Sequence, residues 1–174
     1  LIMIGAWVRV GRATLAGTVG LRDLWTVLPA WTAPLLVATP MFSRDAYSYL
    51  AQGAMLRAGF DPYTDGPVVN PGVLLDNVSN VWTTTTTPYG PVHLLLGSGI
   101  TAVTGDNVVS GTWLWRVTML PGLFLMAWAV PRLARRMGGN PAIALWLAVL
   151  NPLVLIHLVG GVHNELLMVG LMTA

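Results

Sequence analysis

Cysteine does not occur in the 174 residues. That excludes a disulfide framework, a thiolate metal site and a cysteine nucleophile. Lysine is missing as well, so all nine basic residues are arginine, and the formal net charge is only +2. The pI near 9.5 therefore rests on a small arginine surplus, which is no basis for a nucleic-acid partner. Charge of either sign is scarce, at 9% of residues, against roughly 25% in a soluble domain. With 55% hydrophobic residues and a mean hydropathy of +0.67, the composition is that of a membrane protein. The chain opens Leu1-Ile2-Met3-Ile4 with no charged n-region, which is not a signal-peptide pattern. It closes inside the apolar run Leu171-Met172-Thr173-Ala174. The expectation is a fragment of a longer polytopic protein.

The scarce charges are segregated. Residues 1–8 read as the tail of one membrane helix, and Arg9, Arg12 and Arg22 follow in a Gly/Thr/Ala-rich connection. Residues 24–42 carry no charge and are about long enough for the ~30 Å hydrocarbon core. Pro29, Pro34 and Pro40 should kink that span. Residues 108–130 form a second span, followed at once by Pro131-Arg132-Leu133-Ala134-Arg135-Arg136. Residues 141–159 form a third, with Asn151-Pro152 in its middle, and residues 166–174 begin another. The positive-inside rule puts both arginine clusters in the cytoplasm. The segment 43–107 is then a long outer loop holding two interfacial helices, at about 43–58 and 92–104. The second, interrupted by Gly97, Ser98 and Gly99, covers only about 20 Å and is read as interfacial or re-entrant. Six of the seven acids (Asp45, Asp61, Asp65, Asp76, Asp106 and Glu165) then face outward. The fold class is all-α: a polytopic transmembrane helical bundle.

The candidate chemistry centres on Phe42-Ser43-Arg44-Asp45-Ala46-Tyr47-Ser48-Tyr49, where an acid appears at the end of the first uncharged run. Ser43 can cap a helix there, and Asp45 in its first turn is favoured by the helix dipole. Asp45, Tyr49 and Gln52, spaced i, i+4, i+7, would share a polar face. Two readings of Asp45 stand: a general base or acid at an outer-leaflet site, or an acid that stabilises its own helix, paired with Arg44. His163 and Glu165 lie between two apolar spans, as a functional cluster or a hydrated turn. Arg116, just inside a span beside Trp113 and Trp115, either binds phosphate or snorkels to the interface. Tyr47, Tyr49, Tyr63, Trp82 and Tyr89 can stack on sugar rings or anchor an interfacial belt. His157 reads as a core residue. One histidine among scattered acids is a weak metal signal. No cofactor is called for, and a divalent cation is left open.

Taken together and in order, these motifs resemble the C-type (GT-C) glycosyltransferases that use polyprenyl-phosphate sugars. The pattern is an acid after a membrane helix, an interfacial helix, an Asp61-Pro62-Tyr63 turn, and Pro88-Tyr89-Gly90-Pro91 opening a second interfacial helix. A span ending in arginines follows. More narrowly, Arg44-Asp45-Ala46-Tyr47-Ser48-Tyr49, Ala51-Gln52-Gly53, Asn151-Pro152 and His163-Asn164-Glu165 resemble the actinobacterial α-1,6-mannosyltransferases that build the mannan core of lipomannan and lipoarabinomannan. The resemblance implies a polyprenyl-phosphomannose donor, a glycan or glycolipid acceptor, inverting transfer and no soluble nucleotide sugar. It implies a multi-pass protein of the plasma membrane whose active site faces away from the cytoplasm. It also implies Asp45 as the base; Arg44, Tyr49, Gln52, Tyr89, Arg116, His163 and Glu165 are the candidate substrate-binding residues.

The rival from another class is a transporter or lipid flippase, in which proline-broken spans and buried ionisable groups line a pathway. A transporter places its acids near mid-membrane, whereas here they collect at the outer edge. The topology is testable without first removing native thiols, since there are none. In single-cysteine variants, positions 12 and 135 should label only from the cytoplasmic side and position 85 only from outside. Positions 89 and 106 should label from one common side. Labelling of position 85 from the cytoplasm would refute the loop assignment, and opposite sides for 89 and 106 would make residues 92–104 a span.

Overall fold

A computed structural model describes residues 2–174, and among them there is no β-strand. The all-α class expected from the sequence is observed. Eight helices carry the fold: α1 (Ile2–Leu15), α2 (Leu21–Leu36), α3 (Asp45–Arg57), α4 (Pro91–Thr104), α5 (Val108–Arg136), α6 (Pro141–Val149), α7 (Pro152–Gly160) and α8 (Glu165–Thr173). Short helical turns at Pro67–Val69, Val73–Asp76 and Asn80–Trp82 punctuate the loop between α3 and α4. Among the described residues only α5 is by itself long and apolar enough to cross a membrane; α6 and α7 pass that test jointly, bent by 41°. The chain forms two compact units, Leu1–Thr39 with Thr118–Ala174, and Pro40–Val117.

In the first unit several helix bounds differ from expectation. α1 continues through Arg9 and Arg12 to Leu15, where the sequence suggested a connection from residue 9; residue 1 lies outside the described residues. The run 24–42 is helical only to Leu36. α2 runs through Pro29 and Pro34 and stops at Leu36, four residues ahead of Pro40. Its 16 residues cover about 24 Å, short of a ~30 Å core. The run 141–159 is two helices. Asn140 accepts from the Ala142 and Ile143 amides at 2.9 and 3.2 Å, and Asn151 accepts from the Leu153 amide at 2.9 Å. Each Asn-Pro pair is thus a helix start, with the asparagine as cap and the proline at the first helical position. α1 and α6 are pinned by reciprocal indole bonds. Trp7 Nε1 donates to the Trp146 carbonyl at 3.2 Å, Trp146 Nε1 to the Trp7 carbonyl at 3.0 Å, and the rings stack with centroids 4.8 Å apart. α5 and α8 meet at Gly122 and Gly170, where a Cβ on Gly170 would lie 2.8 Å from the Gly122 carbonyl carbon.

The second unit is built around α3. Ala46 and every residue from Ser48 to Met55 are buried, so α3 is the core of its unit and not a surface helix with one covered face. It ends in a Schellman motif: the Phe60 amide donates to the Met55 carbonyl at 3.0 Å and the Gly59 amide to the Leu56 carbonyl at 3.2 Å. Gly59, at φ +89°, supplies the left-handed residue this motif needs. α3 crosses α4 at Gly53 and Gly97, where a Cβ on Gly53 would lie 2.8 Å from Gly97 Cα. Gly97, which interrupts the apolar run in sequence, is therefore the contact that lets the two backbones touch. Gly99, two residues on, has nothing within 4 Å of an added Cβ.

An aromatic stack fills the space beside this crossing. The His93 ring lies between Tyr89 and Trp115, with centroids 4.4 and 4.7 Å away, both at 28°. Tyr49 meets His93 edge-on at 4.6 Å. Burial pushes the His93 imidazole down from 6.5 to about 4, because a charge there would lose its hydration. Its Nε2 is buried with no hydrogen-bond partner.

Two predictions follow from this packing. Gly53→Ala should lower the thermal midpoint by several degrees, since overpacking of this kind costs roughly 1–3 kcal/mol. Gly99→Ala should leave it unchanged or raise it. Equal behaviour of the two variants in a melt in detergent would remove the crossing as the organising contact. The second concerns pH. His93 has its depressed value only when folded, so between about 6.5 and about 4 the unfolded chain binds the proton that the folded chain refuses. Stability is whole above pH 6.5, then falls as pH drops through that window. His93→Phe keeps an aromatic ring in the stack and should flatten the dependence of the melting midpoint between pH 7 and 5. An unchanged slope would show that other groups set it.

Candidate active site

α3 begins with Asp45 as its first helical residue. Phe42, at φ +66°, turns the chain into it. Ser43 Oγ accepts the Asp45 amide at 3.1 Å. The hydroxyl thus serves the first turn as expected, but from one position earlier, because Arg44 occupies the cap position. Asp45, Ser48 and Gln52 line one cavity of about 180 Å³, closed by Trp82, Thr85, Thr86, Pro88 and Tyr89. The polar stripe on α3 is therefore Asp45–Ser48–Gln52, at i, i+3, i+7. Tyr49, placed on that stripe by the sequence, turns into the aromatic stack, where it is 1% exposed. A spacing of i+3 or i+4 from Asp45 is equally good helix geometry, and burial of the larger ring decides which one enters the core.

The loop wall is held by hydrogen bonds between the two segments singled out in sequence. Asp61 Oδ1 accepts the Tyr63 amide at 2.9 Å, and the Asp61 carbonyl accepts the Asp65 amide at 2.9 Å, forming the Asp-Pro-Tyr turn. The Thr87 amide donates to the Pro62 carbonyl at 2.8 Å, and Tyr63 Oη to the Tyr89 carbonyl at 3.1 Å. Farther out, the Val68 amide donates to the Thr83 carbonyl at 2.8 Å. The threonine run is thus structured. Its last member carries a relay in which the Tyr89 amide donates to Thr87 Oγ1 at 3.2 Å and Thr87 Oγ1 donates to Gln52 Oε1 at 2.9 Å. Both Gln52 and Thr87 are buried.

The remaining sequence candidates fall in different places. Arg44 is exposed and lines a shallow concavity with Phe42, Ser43, Ser79 and Trp82, so Trp82 walls both this concavity and the cavity at Asp45. Tyr89 lines that cavity and stacks on His93. Arg116 is 3% exposed, so its guanidinium does not snorkel to an open surface. His163 and Glu165 lie in the first unit, with His163 Nδ1 3.7 Å from Glu165 Oε2 and the His157 ring 6.4 Å from that of His163. Val162, at φ +61°, turns the chain ahead of them. Among the described residues no three histidine or acidic side chains are grouped to hold a metal ion. Ser48, Thr87, His93 and Trp115 are not among the site residues expected from the sequence. Thr87 is one threonine in a run of five, and Ser48, between two tyrosines, carries no signal beyond its i+3 spacing from Asp45.

A protein-family model described as alpha-(1->6)-mannopyranosyltransferase, N-terminal domain, matches residues 1–174. The chain is 58% identical over 173 residues to alpha-(1->6)-mannopyranosyltransferase A of Mycobacterium tuberculosis, covering 99% of this chain and 34% of that protein. It is 51% identical over 181 residues to alpha-(1->6)-mannopyranosyltransferase A of Corynebacterium glutamicum, covering 99% and 37%. It is 38% identical over 156 residues to alpha-(1->6)-mannopyranosyltransferase B of the same organism, covering 88% and 26%. The chain thus spans about a third of the length of the first two relatives. No solved structure matches it. With the family match running over its whole length, the chain belongs to the alpha-(1->6)-mannopyranosyltransferase N-terminal domain family.

Proposed function

We propose that this chain is the part of a membrane mannosyltransferase that carries the catalytic base. Mannose passes from a polyprenyl-phosphate donor to a hydroxyl of a glycan or glycolipid acceptor, forming an α-1,6 linkage with inversion. The observation that carries the reading is Asp45: in a chain of this family it stands at the first turn of α3 and lines a cavity with Ser48 and Gln52. In the step, the acceptor oxygen attacks the anomeric carbon as the bond from that carbon to the phosphate oxygen breaks. The bonding pair leaves on the phosphate, and the acceptor's proton passes to the Asp45 carboxylate. Phosphate is a competent leaving group without protonation, so one carboxylate suffices, unlike the pair that hydrolases need. Arg44 and Arg116 are the candidates to stabilise the growing phosphate charge. His163 and Glu165 are assigned to substrate binding, and Tyr49 and Tyr89 to the shape of the site through the aromatic stack. The setting is a multi-pass C-type architecture in the plasma membrane, with α3 and α4 at the outer interface. The mannosyltransferase names of the relatives weigh against the transporter reading.

In the full-length enzyme, Asp45→Asn keeps the size of the side chain but cannot accept the proton. Transfer from polyprenyl-phosphomannose should fall by about 10²–10⁴-fold, with expression and donor binding nearly intact. Glu165→Gln should cost less. Near-wild-type turnover by purified Asp45→Asn enzyme would reduce Asp45 to a helix-start residue and move the base assignment to Glu165.

A further inference from the structure

The cavity at Asp45 holds a polar group that the fold leaves unused. Ser48 is 5% exposed, and its Oγ is buried with no hydrogen-bond partner. A buried hydroxyl without a partner is destabilising, and alanine would fill the same place. It lines the cavity one turn beyond Asp45. One turn farther, Gln52 is committed on one side only. Thr87 Oγ1 receives the Tyr89 amide and so has its proton available for Gln52 Oε1. What Gln52 offers a ligand is therefore its amide N–H groups. Along one helix face the cavity presents an acceptor at Asp45, a donor-acceptor at Ser48 and a donor at Gln52, stepped by about 4.5 and 6 Å of helix rise.

That order is complementary to neighbouring hydroxyls on a sugar ring. The opposite wall supplies Trp82, Pro88 and Tyr89, suited to the apolar face of such a ring. At about 180 Å³ the cavity is below the roughly 300–1,000 Å³ of a drug-sized site, so it has room for a single ring and not for an oligosaccharide. An apolar occupant such as a lipid chain would leave Ser48 unsatisfied. We propose that Ser48 and the Thr87-fixed amide of Gln52 read the hydroxyls of one hexose ring held beside Asp45, and so determine which sugar the enzyme accepts. This rests on the mannosyl-transfer reading of the site. The ring belongs to the donor or to the acceptor, and the two share the chemistry that is read.

The test uses the full-length enzyme with two ligand series: monodeoxy-mannosyl polyprenyl phosphates as donors, and monodeoxy mannoside acceptors. Ser48→Ala should melt no lower than wild type, because it deletes an unsatisfied hydroxyl. Its kcat/KM with the intact substrates should fall about 10- to 100-fold, the usual weight of a buried hydrogen bond to substrate. One deoxy ligand should lose the same factor with wild type and nothing further with Ser48→Ala, the non-additivity expected of two groups in one contact. The series containing that ligand identifies the ring. Ser48→Ala at wild-type efficiency, or losses that multiply for every ligand in both series, would overturn the proposal. Failure of the base assignment reads differently: Asp45→Asn would stay active while the Ser48 coupling persisted. If no transfer is detected at all, calorimetric titrations of polyprenyl-phosphomannose and of the mannoside acceptor into wild type and Ser48→Ala decide the matter, equal affinities for both ligands overturning it.

Discussion

The contact between Gly53 on α3 and Gly97 on α4 sets the geometry of the unit that holds Asp45. Two mid-helix glycines cost about 1 kcal/mol each in helix propensity, and they are tolerated because a Cβ on Gly53 has no room and one on Gly97 would be crowded where the backbones meet. Gly53 is adjacent to Gln52, so the crossing fixes the rotation of α3 about its own axis. With that rotation set, Tyr49 is directed to the stack with His93 and Trp115, and Asp45, Ser48 and Gln52 are left facing the loop wall. A slip of one residue would exchange the large ring for the small hydroxyl and close the cavity.

The loop wall explains why the order of the motifs carries more information than any one of them. Asp61-Pro62-Tyr63 closes on Thr87 and Tyr89 through the Pro62 and Tyr89 carbonyls, and Thr87 closes on Gln52. Three short stretches far apart in sequence are thereby one hydrogen-bonded object. Each bond is modest, but the Thr87–Gln52 bond joins two buried side chains, which is where such bonds matter most. Gly66 lets this loop fold back on itself, since a Cβ there would lie 2.6 Å from Thr84 Cα.

The sequence made legible what local chemistry decides. Asp45 as a first-turn acid, the end of α3 near residue 58 and the start of α4 near Pro91 are all expected from the sequence, and the structure has each. Apolar length was a poorer guide. Residues 24–42 and 141–159 look alike in hydropathy, yet one is a helix that stops at Leu36 and the other restarts at Asn151. An apolar run records what surrounds a segment and not whether its backbone is continuous. Side-chain direction was legible least. Tyr49 and Ser48 are both allowed neighbours of Asp45 on a helix, and only the partners brought by α4 and α5 choose between them.

Asp45 and Glu165 invite comparison because both open a helix just after a non-glycine residue with positive φ, Phe42 in one case and Val162 in the other. Such a turn lets a chain enter a helix abruptly and puts the first-turn acid at the end of an element, where a ligand can reach it. Their surroundings then separate them. Asp45 lines a cavity with a hydroxyl and an amide one and two turns along its own helix. The Glu165 carboxylate has an imidazole nitrogen 3.7 Å away. An acid that opens onto a cavity lined by a hydroxyl and an amide can meet a hydroxyl that is about to lose its proton. Under the proposed mechanism this is the physical ground for giving the base role to Asp45 and a binding role to Glu165.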